Sequence, residues 1–250
     1  MKLKRILSIP IFSVIFVVGF VYYITVFIFI EDCYGLSSPE GSWKAMIFTL
    51  LGALFSFSFC VCVLTDPGGV PSQFLPDMEE NPVSDQENKT TAVQQRHCDK
   101  CSTYKPPRAH HCRVCRRCVL RMDHHCVWIN NCVGLRNYKA FVVLVVYATI
   151  TCAYSLITIL CCALRKDWDF SGRMPLKIFY ITSGMMVLGL TLTMGTLLSW
   201  HIYLMARNMT TIEYYDAKRA AWLARKSGLS YHHPFDVGTF KNFTLVFLSL

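Results

Sequence analysis

Seven of the thirteen cysteines fall between residues 98 and 132: Cys98, Cys101, Cys112, Cys115, Cys118, Cys126 and Cys132. Histidines are set among them, at His111 and at the adjacent pair His124 and His125. Thiolate and imidazole are the ligands zinc prefers, and a structural zinc site fills all four tetrahedral positions. A Cys-x2-Cys pair supplies two thiolates at bite distance around a tight turn. One such pair is weak, but several with histidines at intervals make a strong metal signature. Two Cys3His sites would use six of the seven cysteines and leave one thiol over. Spacing alone does not identify the spare. Adjacent residues such as His125 and Cys126 rarely bind the same ion, so one of them points elsewhere.

The rest of the chain must hold this loop at a membrane. Of 250 residues, 53% are hydrophobic and only 16% charged, with a mean hydropathy of +0.36. A soluble domain carries about a quarter charged residues. Four apolar runs are long enough to cross a hydrocarbon core of ~30 Å: 6–30, 45–64, 140–164 and 178–206. Lys2, Lys4 and Arg5 precede the first run, as in a signal peptide. Yet a signal core runs only ~7–15 residues, and this run is longer and ends Phe27-Ile28-Phe29-Ile30. Residues 65–95 are rich in Pro, Glu, Asn, Gln and Ser and read as a linker. The divisions expected are spans one and two in 1–64, the linker 65–95, a metal module 96–139, spans three and four in 140–206, and a C-terminal segment 207–250. No internal repeat is expected.

Lys and Arg set the orientation. Twenty fall on the face that carries both termini and the central loop, and five on the other. That face is cytosolic, where thiols stay reduced, so metal is expected in place of disulfides. The Asn-x-Thr sequons at Asn88, Asn208 and Asn242 then stay unglycosylated. The net charge of +9 suits anionic lipid or an acidic cosubstrate. Nucleic acid is excluded as a partner, because the spans hold the loop at a bilayer and no recognition helix follows it.

The stretch CDKC…KPPRAHHCRVCRRCVLRMDHHCVWINNCVGLRNYKAF resembles the cysteine-rich domain of the DHHC protein S-acyltransferases, or palmitoyltransferases. Its signature is Asp123-His124-His125-Cys126. The resemblance extends to Asp66-Pro67-Gly68, to Thr210-Thr211-Ile212-Glu213 (the TTxE motif) and to the four spans, so it covers nearly the whole chain. It implies an all-α polytopic membrane protein with four transmembrane helices and a cytosolic zinc domain of short β-hairpins. It implies one zinc on Cys98, Cys101, His111 and Cys118 and a second on Cys112, Cys115, His125 and Cys132. Cys126 is then the spare thiol and the nucleophile. The implied reaction takes a fatty acyl group, palmitoyl first, from acyl-CoA onto Cys126 and then onto a cysteine of a membrane-associated protein. A rival from another class is a membrane-tethered zinc scaffold, and the intact signature favours the enzyme. The family places such proteins in the endomembrane system, with the Golgi first.

Within that reading, His124 takes the thiol proton as general base and Asp123 orients His124. Arg116, Arg117 and Arg121 favour thiolate. Lys105, Arg108, Arg113, Arg136 and Lys139 are candidates for the phosphates of coenzyme A, and the acyl tail is expected in an apolar cavity between the spans. His97 and His110 are expected to face solvent, and His201, in the last span, to hold an ordinary hydrogen bond. Cys60, Cys62, Cys152, Cys161 and Cys162 read as packing residues, Trp128 and Tyr138 as packing or interfacial anchors. Thr210, Thr211 and Glu213 read as a helix cap that the resemblance sets against the catalytic loop, and Asn242 as a brace for the cytosolic domain. The family's NxxxVFG departs here, where Leu248 stands in place of glycine and the chain soon stops. This reads as a shortened form with a weaker brace.

Overall fold

A computed structural model describes residues 7–71, 74–75, 96–165 and 174–248. The expectations for Lys2, Lys4, Arg5, Asn88 and most of the linker lie outside the described residues. Among the described residues four helices are long and apolar enough to cross a membrane: α1 (Ile9–Tyr34), α2 (Pro39–Leu64), α3 (Tyr138–Arg165) and α4 (Met174–Ala206). Two shorter helices follow, α5 (Thr211–Lys226) and α6 (Thr239–Phe247). The architecture is therefore a mostly helical four-span bundle with a small cysteine-rich module between α2 and α3.

The first two helices reach closer together than their apolar runs suggest. α1 continues through a π-wound stretch, Ile24–Ile30, and stops only at Gly35, whose φ of 71° a helix does not accept. α2 starts at Pro39, because the Ser38 hydroxyl caps it by accepting the Gly41 N–H at 3.0 Å. Caps, not hydropathy, set these boundaries. Inside the bundle α3 packs against both α2 and α4. Most polar groups described in the spans find partners within the protein, as lipid favours: the hydroxyls of Thr25 and Ser155 meet at 2.7 Å between α1 and α3, while Thr151 Oγ1 is buried without one.

The cysteine-rich module is three antiparallel hairpins: β1 (Arg96–Cys98) with β2 (Thr103–Lys105), β3 (His110–Cys112) with β4 (Arg117–Val119), and β5 (His124–Cys126) with β6 (Asn131–Val133). Each strand begins fourteen residues after its counterpart in the hairpin before. The turns repeat too, with a left-handed residue at Ser102, Arg116 and Asn130 (φ 50°, 53° and 45°). The module is thus an internal repeat, contrary to the expectation of none. Its period is shorter than the helical and solenoid periods that usually reveal repeats, and it is carried by few residues, chiefly cysteine and histidine.

The module is tied to the membrane helices by backbone. Asp66-Pro67-Gly68 folds against the second and third hairpins. Leu120 N–H donates to the Gly68 carbonyl at 2.8 Å, and Arg136 N–H to the Pro67 carbonyl at 3.1 Å. The Asn131 amide donates to the carbonyls of Cys62 and Thr65 at the end of α2, at 3.0 and 2.8 Å, satisfying acceptors the helix leaves open. Gly134 sits where these pieces converge. A Cβ there would lie 2.6 Å from Val119 Cγ1 and 2.8 Å from the Pro67 carbonyl oxygen. Gly134→Ala is expected to destabilise the folded protein by about 1–3 kcal/mol, read as a lowered thermal midpoint in detergent. Gly189→Ala, where a Cβ meets nothing within 4 Å, is expected to leave that midpoint unchanged.

Candidate active site and metal centres

Successive side chains of a strand point to opposite faces. On the central hairpin His111 turns toward the first hairpin and Cys112 toward the third. His111 Nδ1 lies 3.5, 3.2 and 3.9 Å from the sulfurs of Cys98, Cys101 and Cys118. His125 Nδ1 lies 3.6, 3.5 and 3.6 Å from those of Cys112, Cys115 and Cys132. In each set the four donor atoms lie within 4.8 Å of one another. A tetrahedral zinc with Zn–S of ~2.3 Å and Zn–N of ~2.0 Å has edges of about 3.5–3.8 Å. The donors and spacings fit a zinc ion in each set, and the eight residues are those expected. Each ion would cross-link two neighbouring hairpins.

The third hairpin puts His125 toward the second metal set and His124 and Cys126 on the opposite face. His124 Nδ1 donates to Asp123 Oδ2 at 2.7 Å, and the strand pleat sets its imidazole and the Cys126 thiol on one face, where each shifts the titration of the other. Asp123 is buried, and Thr211, at the start of α5, donates to it from its N–H and its hydroxyl, both at 2.8 Å. Burial pushes the Asp123 carboxyl up, but the hydrogen bonds from His124 and Thr211 outweigh it and hold the group below its ordinary value. Burial pulls the His124 imidazolium down, yet its interactions with Asp123 and Cys126 prevail and raise it to about 9. Burial likewise raises the Cys126 thiol, and the interaction with His124 and the N–H groups of Ile129 and Trp128 brings it below its ordinary value. All three favour a thiolate–imidazolium pair.

A further imidazole stands behind the triad. His201, on α4, is buried, and its Nδ1 shares a hydrogen bond of 3.2 Å with the Tyr138 hydroxyl. The side chains of Asp123, His124 and His201 come within 4.8 Å of one another. Both carboxylate oxygens of Asp123 are already taken by Thr211 and His124, so this group reads as a hydrogen-bonded set and not as a third metal site.

Several basic residues serve the fold. Arg108 forms a two-pronged ion pair with Glu213 at 2.6 and 2.7 Å, donates to Asn208, and lies over the Phe235 ring. Arg121, expected near the thiolate, donates to Asn208 Oδ1 at 2.8 Å, and Arg117 pairs with Asp66 at 2.8 Å. Glu213 also accepts the Thr210 N–H in a capping box at the start of α5. Asn242 is buried and donates to the Ala206 carbonyl at 2.8 Å and to Asp236. His97 is exposed as expected, whereas His110 is half-buried. Trp128 is 61% exposed, as an interfacial anchor is, and not packed. Cys126 belongs to an apolar cluster with Phe59, Cys62, Val63, Phe141 and Met205, drawn from α2, α3 and α4. The hollow lined by Ile9, Phe12, Ser13, Phe16 and Val17 lies on α1, apart from Cys126.

Residues 91–218 match the family model of the DHHC palmitoyltransferases. The chain belongs to the DHHC palmitoyltransferase family. It is similar to probable protein S-acyltransferase 15 of Arabidopsis thaliana, with 56% identity over 228 residues, covering 91% of this chain and 88% of that protein. Probable protein S-acyltransferase 16 of the same plant is 45% identical over 96% of this chain and 84% of its own length. The palmitoyltransferase pfa3 of Emericella nidulans is 35% identical over 85% of this chain but 44% of that longer protein. The DHHC signature of the family is the strand β5 with the aspartate before it, the segment on which the metal face and the thiol face divide.

Sequence reading missed what joins the DHHC module to α4 and α5. Arg108, Arg121, Asn208, Tyr138 and His201 carry no motif of their own, and Glu213 read only as part of a helix cap. Removing one member of a buried ion pair costs about 3–5 kcal/mol. Arg108→Ala is therefore expected to lower the unfolding midpoint sharply. Burial raises the Glu213 carboxyl, but Arg108 holds it below its ordinary value, so its contribution to stability is full above the unfolded carboxyl's pKa near ~4.3 and is lost as pH falls. A shallower acid-unfolding curve for Arg108→Ala checks this. Mass spectrometry is expected to find two metal ions per native chain and fewer in His125→Ala.

Proposed function

We propose that this protein is a protein-cysteine S-palmitoyltransferase working through an acyl-enzyme on Cys126. The observation that carries the reading is a thiol outside both metal sets that shares a strand face with His124, whose ring is bonded to Asp123. Membership in the DHHC palmitoyltransferase family and the names of its plant and fungal relatives support it.

In the first half-reaction the Cys126 sulfur attacks the carbonyl carbon of a fatty acyl-CoA. His124 holds the proton released by Cys126, and Asp123 fixes the ring and faces its positive charge. As the carbon–sulfur bond to coenzyme A breaks, that leaving sulfur takes the proton from His124. In the second half a substrate cysteine gives its proton to His124 and attacks the acyl-enzyme, and Cys126 leaves as thiolate, restoring its pair with the protonated His124. A thioester replaces a thioester at each step, so no energy source is needed. Zinc held by Cys98, Cys101, His111 and Cys118 and by Cys112, Cys115, His125 and Cys132 would supply rigidity, fixing the hairpins that present Cys126, and would take no part in the transfer.

The apolar cluster around Cys126 is where the acyl tail would enter the bundle, with each buried CH2 worth about 0.8 kcal/mol. Arg108 serves Glu213, and Lys139 donates to the Phe247 carbonyl at 2.8 Å. Lys105, Arg113 and Arg136 are left as candidates for the coenzyme A phosphates. The balance of Lys and Arg supports a cytosolic position for the hairpins and both termini, and the family resemblance supports an endomembrane location with membrane-associated proteins as acceptors. The roles of the eight metal-set residues as ligands and of Asp123, His124 and Cys126 as catalyst are part of the same proposal.

The test is labelling of the purified protein by a clickable acyl-CoA. Native protein is expected to take up hydroxylamine-sensitive label and Cys126→Ser none, while His124→Ala and Asp123→Asn lose about 10²–10⁴-fold in rate at unchanged metal content. Undiminished label on Cys126→Ser would contradict the assigned nucleophile.

A further inference from the structure

The fourteen-residue repeat gives Cys126 an unexpected set of equivalents. Cys98, Cys112 and Cys126 end the first strand of each hairpin, opposite Thr103, Arg117 and Asn131. In the first two hairpins the position three residues later is the second cysteine of the metal pair, Cys101 and Cys115. In the third it is Ile129. The three turns share the same left-handed residue, so the backbone of the third hairpin is that of the metal-binding ones. Even the sulfur contacts recur. The Cys115 N–H donates to Cys112 Sγ at 3.3 Å, and the backbone N–H groups of Ile129 and Trp128 act on the Cys126 sulfur from the corresponding turn, lowering its pKa.

We propose that the third hairpin is a metal knuckle kept empty by Ile129, and that this residue is what leaves Cys126 free. The turn amides that steady a metal-bound thiolate in the first two hairpins steady an uncoordinated one in the third. Ile129 is 1% exposed and packs in the same apolar cluster as Cys126, so an aliphatic side chain fills the place of the missing thiolate. Cys126 and His124 alone, with His124 also held by Asp123, are too few donors for a closed zinc site. A thiol at position 129 would add a second thiolate at bite distance and, with His124, make a three-ligand site with one open position. The ion concerned is a thiophilic divalent cation of the zinc class. This inference rests on the acyl-enzyme reading only for the use of the free thiol. Its test counts metal, so its failure is distinct from a failure of acyl labelling in the native protein.

The experiment is the metal content of the full chain purified in detergent with zinc supplied. The native protein and Ile129→Ala, which empties the same space without adding a donor, are expected to hold two ions per chain. Ile129→Cys is expected to hold a third, lost again when Cys126 is also changed to Ser, and to lose acyl labelling as its third ion binds. Ile129→His offers a different donor at the same place and is expected to gain the ion too. In cobalt-loaded protein, the third ion of Ile129→Cys adds thiolate charge-transfer absorption that the Cys126→Ser background lacks. Two ions in both Ile129→Cys and Ile129→His would overturn the inference, as would a third ion that persists without Cys126.

Discussion

A β-strand sends neighbouring side chains to opposite faces, and the arrangement of this protein's chemistry depends on that constraint. Metal set and thiol are adjacent in sequence at His125 and Cys126, yet the pleat separates them. The same rule lets the central hairpin serve two ions, with His111 on one side and Cys112 on the other. Three short hairpins have almost no hydrophobic core of their own, so ions held in the two sets would be what cross-links them into a fixed order. A module held this way can place one sulfur accurately without the bulk of a globular domain.

The precision extends into the membrane bundle through hydrogen bonds. Asn131, opposite Cys126 in the ladder, closes the open carbonyls of α2. Asp123 is gripped by Thr211 at the head of α5, and Arg108 is gripped by Glu213 two residues on. The site is therefore held by the second, fourth and fifth helices as well as by its own hairpins. The polar clasp and the apolar cluster meet at Cys126: its His124 neighbour looks toward Asp123, and its other surroundings are the side chains of the spans. Those are the two environments that an acyl thioester, with its water-soluble head and hydrocarbon tail, would need.

Much of this was legible in the sequence. The spans showed as uninterrupted apolar runs, since a helix in lipid leaves little freedom in composition. The cysteine and histidine pattern announced two metal sets, because ligand spacing is a local property of a turn. What stayed hidden was long-range or depended on the backbone. Arg108 and Glu213 are 105 residues apart, and Tyr138 and His201 are 63 apart, so no window of sequence joins them. Arg121 looked like one more charge near the thiol and is instead tied to Asn208. The helix ends moved because capping by Ser38 and the left-handed Gly35 decide them. The repeat was present in the letters but became recognisable only when three turns of the same conformation lay side by side.

The central claim is that the two metal sets are closed without Cys126. Zinc-edge X-ray absorption of the purified protein tests it directly. The account predicts an average shell of three sulfurs at ~2.3 Å and one nitrogen at ~2.0 Å, identical in native protein and in Cys126→Ser. A sulfur count or metal content that falls when Cys126 is replaced would place that sulfur among the ligands and contradict the account.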